Sequence, residues 1–159
     1  GLGPGRPERE VRFRLPGVAA DRIRLVSSLH GAAEVSQDAE VARVTIEATT
    51  GPPLTFRLRA GRETAERLHD ERVAHVQPAP HLSAWSLVDR RSEGAFYLAR
   101  FAWPGTRRLI SLRIRYTAGH GRLLLFGGTV GGSGPGVVSL SPFMREGYRH
   151  VREAAGAVL

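Results

Sequence analysis

The sequence predicts an all-β protein: a two-sheet antiparallel β-sandwich of jelly-roll type, with one or two short helices at most. Three observations carry this. Apolar and polar residues alternate with period two in several segments, the pattern of half-buried strands. About nine strand candidates are punctuated by Gly- and Pro-rich turns at the spacing of sandwich folds. No stretch sustains a helical period, which removes parallel α/β folds and helix bundles, and no fixed-period repeat is present. With 159 residues the chain makes one domain able to bury most of its own apolar surface.

Residues 1–10 read as a flexible lead-in and 11–159 as the domain. Val11, Phe13 and Leu15 alternate with Arg12 and Arg14 in a first strand that Pro16-Gly17 is expected to stop. Ile23 and Leu25, continuing to Ser27 and Leu29, make a second, entered through Asp21. Ala42, Val44, Ile46 and Ala48 share one face against Arg43, Thr45 and Glu47. After the turn Thr50-Gly51-Pro52-Pro53, Leu54, Phe56, Leu58 and Ala60 alternate again, so residues 41–60 form a hairpin. Gly61 to Glu71 loses the alternation and suits a short helix or an ordered loop. Val73 to Val76 is a brief strand candidate and Ala84 to Val88 another, carrying Trp85. From Ala95 onward Tyr97, Ala99, Phe101 and Trp103 fall on one core face, and Pro104-Gly105 is expected to end that strand.

The organising stretch is Arg107 to Val130. Ile110, Leu112, Ile114 and Tyr116 alternate with Ser111, Arg113, Arg115 and Thr117, giving a strand with one wet face. Residues 117–121 supply turn chemistry, and Arg122 to Phe126 returns as a nearly all-apolar run. The expectation is a central hairpin whose second strand is covered from both sides. Gly127 to Gly136 reads as a Gly-rich loop, and Val137 to Leu140 as a short strand. Tyr148 to Arg152 and Gly156 to Leu159 are edge strands or a small helix. The charge-free run Leu123 to Phe143 has the length of a membrane span, but its Gly, Pro and Ser residues make it strand and loop.

Composition narrows function. There is no cysteine, hence no disulfide, thiolate nucleophile or cysteine-bound metal. All 23 basic residues are arginine and the formal net charge is +8, which favours acidic partners. The arginines are dispersed at alternate strand positions and aromatic residues are only 7%. A nucleic-acid surface wants a basic stripe with stacking platforms, so a solvated strand face is the better reading and no nucleic-acid partner is expected. No Gly-x-Ser-x-Gly elbow surrounds a serine, the six histidines lack metal-pair spacing, and the Gly-rich segment has no lysine or following helix to hold a phosphate. No catalytic residue, cofactor or metal is therefore assigned. The chain starts without Met and ends on the apolar Ala157-Val158-Leu159, which reads as a domain cut from a longer polypeptide.

The candidate ligand surface is where alternation breaks: Arg59, Glu66, Asp70 and His75 with His81 and Trp85. Arg59 would donate a bidentate fork, Glu66 and Asp70 would accept hydroxyls, and Trp85 would stack on a sugar ring. An architectural account uses the same residues, with Gly61 at positive φ, Thr64 and Glu66 capping a short helix, and Asp70 pairing with Arg67 or Arg72.

The run Leu58-Arg59-Ala60-Gly61-Arg62-Glu63-Thr64-Ala65-Glu66, followed by Asp70 and His75, resembles a segment of the extracytoplasmic β-sandwich domain of large polytopic bacterial membrane proteins of the lipid-linked glycosyltransferase type. Phe96-Tyr97-Leu98-Ala99-Arg100-Phe101 and Leu109 to Tyr116 are similar to later segments of it, so the likeness spans residues 11–130. It departs at Arg67, where an aromatic residue is expected. The resemblance implies a galactose-binding-like jelly roll on the extracytoplasmic face of a bacterial membrane, within a larger membrane protein. On these grounds the chain reads as a non-catalytic binding module for a saccharide or glycolipid, its other partner being the remainder of the parent protein. The alternatives are a structural domain that docks neighbouring domains without a small ligand and, more weakly, a hydrolase.

Overall fold

A computed structural model describes residues 2–3, 9–67, 83–89, 92–132, 137–140 and 152–154, with residues 83–89, 92–95 and 152–154 entering as backbone. Eight strands follow in order: β1 (Glu10–His30), β2 (Glu40–Ala48), β3 (Leu54–Arg59), β4 (Ser83–Asp89), β5 (Ser92–Tyr116), β6 (Arg122–Gly131), β7 (Val137–Leu140) and β8 (Arg152–Ala154). All join one hydrogen-bonded sheet of order β3-β2-β5-β1-β6-β7-β8, with β4 on the N-terminal half of β5. Every ladder between them is antiparallel. The described residues contain no helix; of the short helix or ordered loop expected from residue 61 onward, residues 61–67 take the ordered loop.

Two strands carry the architecture. β1 and β5 pair along nearly their whole length, from Glu10 opposite Arg115 to Ser27 opposite Tyr97. Neither Pro-Gly pair stops its strand, contrary to the expectation from sequence. The register slips between Arg14 and Val18, where Pro16-Gly17 lies, and between Ala20 and Arg22, where Pro104-Gly105 lies opposite. Gly17 and Gly105 both have φ +71°, a left-handed conformation open to glycine. Proline is tolerated there because no ladder bond is lost. β6 joins β1 only from Arg22 onward, and β4 and β2 reach β5 only up to Leu98 and from Leu109.

These kinks fold the sheet over itself. Phe56 on β3 lies opposite Val44, and Val44 opposite Ile114. Along a straight β5, Ile114 would stand about 40 Å from Phe101. Yet the Phe56 and Phe101 rings stack at 5.0 Å, with Trp103 at 6.1 Å. One buried cluster joins Val11, Phe13 and Leu15 before the kink to Ile23, Leu25 and Leu29 after it. Tyr97, Ala99, Phe101 and Trp103 all lie in that core, as their alternation predicts. The β2–β3 hairpin is also as predicted, turning through Gly51 at φ +82°. Within the lead-in, Leu2 is buried and exchanges hydrogen bonds of 2.8 and 2.7 Å with Leu123.

Four expectations for the organising stretch are corrected. β5 and β6 do not pair, because β1 lies between them. Loop 117–121 needs to cross only two strand spacings, roughly 10 Å, which five residues do easily. Ile110 is 40% exposed: both neighbouring ladders slip at this position, so it is bulged outward and Leu109 takes its place in the core. Gly127 to Gly131 belong to β6 rather than to a loop. A Cβ on Gly128 would stand 2.5 Å from the Arg24 carbonyl oxygen and 2.9 Å from Leu25 Cδ2, so glycine lets β1 approach. The return strand is less enclosed than expected, with Leu123 buried and Leu124, Leu125 and Phe126 only partly so.

Candidate functional site

Arg59 and Glu66 are both engaged inside the fold. At the end of β3 the Arg59 carbonyl accepts hydrogen bonds from the amides of Arg62, Glu63 and Thr64, and Gly61 turns the chain at φ +74°. The Arg59 guanidinium forks onto Glu63 at 2.7 and 3.2 Å, and Glu63 also accepts the Arg59 amide at 2.9 Å. That carboxylate makes Arg59 hold its proton more tightly than usual. Glu66 accepts the Ala32 amide at 2.8 Å and the Arg67 amide at 3.1 Å. Its carbonyl takes the Tyr97 hydroxyl at 3.1 Å. Leu29 donates to the Ala65 carbonyl and accepts from the Arg67 amide, so residues 65–67 continue the β1 ladder beyond Ser27, its last pairing with β5. Thr64 accepts the Ser27 hydroxyl at 3.1 Å rather than capping a helix. Asp70, His75 and His81 lie outside the described residues. Trp85 sits on β4 opposite Phe96, its side chain likewise outside them.

A different assembly stands on the outer face of β1, β5, β2 and β3. Residues directly opposite one another share a face, and the register sets them in rows. Glu10, Arg115, Arg43 and Arg57 form one row; Arg12, Arg113, Thr45 and Thr55 the next. Three guanidinium groups thus follow one another across three strands, an arrangement that like-charge repulsion makes costly. Arg43 is held by Glu40 at 2.9 Å, and Arg57 lies 3.4 Å from the same carboxylate. Arg115 and Arg9 have no ion pair among the described residues, and none closes between Arg115 and Glu10. Together Arg9, Arg43, Arg113 and Arg115, with Thr45 and Thr117, line an open groove of about 330 Å³.

Beside it, Glu47 accepts the Ser111 hydroxyl at 2.6 Å and the Arg12 guanidinium at 2.9 Å. The Ser111 bond foremost, then the Arg12 and Arg113 charges, hold the Glu47 carboxyl below its ordinary range. Tyr116, next to Arg115 on β5, turns its side chain into the core, where its hydroxyl donates to the His120 carbonyl and is pushed up to about 12 by burial. No family model, curated protein or solved structure matches this chain. Among the described residues no cluster of three His, Asp or Glu side chains is placed to hold a metal ion. A second shallow groove, also of about 330 Å³, runs along Arg22, Arg24 and Arg100 past the kink; there Asp21 pairs with Arg22 at 2.6 Å.

Sequence reasoning assigned these arginines to a solvated face and did not bring them together. The signal was present in the Arg-x-Arg pairs 12/14 and 113/115, each on one side of a strand. What brings them together is the pairing of β1 and β2 with β5, across long sequence separations.

Proposed function

We propose that this chain is a non-catalytic binding module for an acidic saccharide or glycolipid headgroup, carried on the extracytoplasmic side of a bacterial membrane protein. The observation that carries the reading is the row Arg115–Arg43–Arg57 with Arg113 beside it. Repulsive pairs across adjacent strands cost stability, and an anionic ligand relieves them. The extracytoplasmic placement and the parent membrane protein rest on the resemblance alone, carried by residues 58–66 with Asp70 and His75, 96–101 and 109–116. A two-layer sandwich of jelly-roll type is part of the same proposal, supported by the Phe56–Phe101 contact across the kinked ribbon. Such a sandwich offers one flat, wet sheet face to a ligand while the other closes the core.

A purely architectural domain is the second reading. It is favoured at the 59–67 segment, where Arg59 and Glu66 spend their bonding capacity internally. An array of acidic and neutral glycans separates the two. Acidic glycans should be retained, with signal falling as ionic strength rises, because exposed charges are screened. Retention of no glycan at low salt rejects the binding module and leaves the architectural domain.

A further inference from the structure

We infer that the groove between Arg9, Arg43, Arg113 and Arg115 is a site for a phosphate monoester on a monosaccharide-sized headgroup, rather than for a carboxylate. This rests on the binding-module reading and specifies the ligand group within it.

The fold itself shows how a carboxylate satisfies arginine. Glu63 meets the Arg59 guanidinium through two near-parallel bonds, 2.7 and 3.2 Å, and one planar anion absorbs one fork. The groove poses a different problem. Its guanidinium groups come from three separate places: ahead of β1 (Arg9), from β2 (Arg43), and from two same-face positions of β5 (Arg113, Arg115). Arg43 is occupied by Glu40, and Glu47 partly compensates Arg113. Arg115 and Arg9 have no acid bound to them among the described residues. A single carboxylate brings one charge and two coplanar oxygens. A phosphate monoester brings close to two charges and three oxygens pointing apart, which suits donors converging from several strands. Thr45 adds a hydroxyl on the same surface, directly opposite Arg113. The volume of about 330 Å³ holds a phosphate and one sugar ring.

The register gives the site a signature that a structural role would not have. Arg115 faces Arg43 across the β2–β5 ladder, so neutralising it removes repulsion. Arg115→Gln should therefore melt no lower than the parent, while Arg113→Gln/Arg115→Gln loses phosphate binding.

Calorimetric titration of the whole 159-residue chain with orthophosphate, glucose 1-phosphate and glucuronate tests this. Glucose 1-phosphate and orthophosphate should bind the parent, with glucuronate at least about tenfold weaker. The Arg113→Gln/Arg115→Gln variant should lose at least about tenfold in phosphate affinity, and Arg115→Lys, which keeps charge but not the fork, should fall between. Arg24→Gln, on the far side of the kink, should bind as the parent does. Glucuronate binding equal to or tighter than phosphate overturns the inference while leaving the binding module standing. Unchanged phosphate affinity in the double variant overturns the groove. So does binding to phosphatidic acid vesicles with no response to glucose 1-phosphate, which would mark a membrane-facing surface instead.

Discussion

Replacing Glu66 separates anchoring from recognition in the segment that follows β3. Its carboxylate accepts two backbone amides, Ala32 at 2.8 Å and Arg67 at 3.1 Å, and Ala32 is 1% exposed. Glu66→Ala strands a buried N–H and cuts the tie between the turn after β1 and residues 65–67. A hydrogen bond to a charged acceptor contributes about 1.5–3 kcal/mol. The Arg67 amide keeps its bond to the Leu29 carbonyl, so the loss should be about 2–4 kcal/mol rather than the full pair. For a chain of this size that lowers Tm by about 4–16 °C. Glu66→Gln retains one carbonyl acceptor and should lose roughly half as much. Thermal melts followed by circular dichroism, with glycan retention measured on the same samples, give both readouts. A Glu66→Ala variant that melts with the parent yet loses retention would refute the anchoring account and return Glu66 to a binding role.

Two further outcomes follow from the fold. Gly128→Ala should cost about 1–3 kcal/mol by overpacking, since its Cβ meets the Arg24 carbonyl oxygen at 2.5 Å. Gly105→Ala, with φ +71° and nothing within 4 Å, should cost only about 1 kcal/mol of backbone strain; equal denaturation midpoints would contradict the close approach of β1 and β6. Burial lifts the Tyr116 hydroxyl from 10.0 to about 12, and burial raises Tyr97 as well. The folded state therefore holds these protons more tightly than the unfolded chain, so their contribution is intact below pH 10 and is lost as pH rises toward 12. Phenolate absorbance and ellipticity should change together across that window; full phenolate formation near pH 10 in a folded protein would disprove the burial.

Much of the fold was legible because strand alternation depends only on which face is wet. The β2–β3 hairpin, the core face Tyr97–Ala99–Phe101–Trp103 and the short β7 all follow from period-two patterning. Pairing is another matter. Leu123 to Phe126 carries no mark that would seat it against β1 rather than β5, because apolar side chains do not specify a partner. Pro16-Gly17 and Pro104-Gly105 have the residues of a stop signal. Proline breaks a strand only where a ladder bond is needed, and that depends on neighbours unknown from the local sequence. The same non-locality hid the groove, since Arg43, Arg113 and Arg9 lie on segments brought together by β5 alone.

The central ladder also governs how the chain comes to fold. Glu10 meets Arg115 about a hundred positions away, so β1 has no partner on that side until most of the chain has been synthesised. The β2–β3 hairpin is local and can form early. The β1–β5 ribbon must close a long loop before its contacts reward the lost entropy, which places this topology among folds with high contact order and slow assembly. Until then β1 is an apolar edge open to other chains. Its arginines at 12, 14, 22 and 24 sit between the apolar positions of that same strand. Charges interleaved in this way interrupt an apolar run that would otherwise favour aggregation of the unpaired strand.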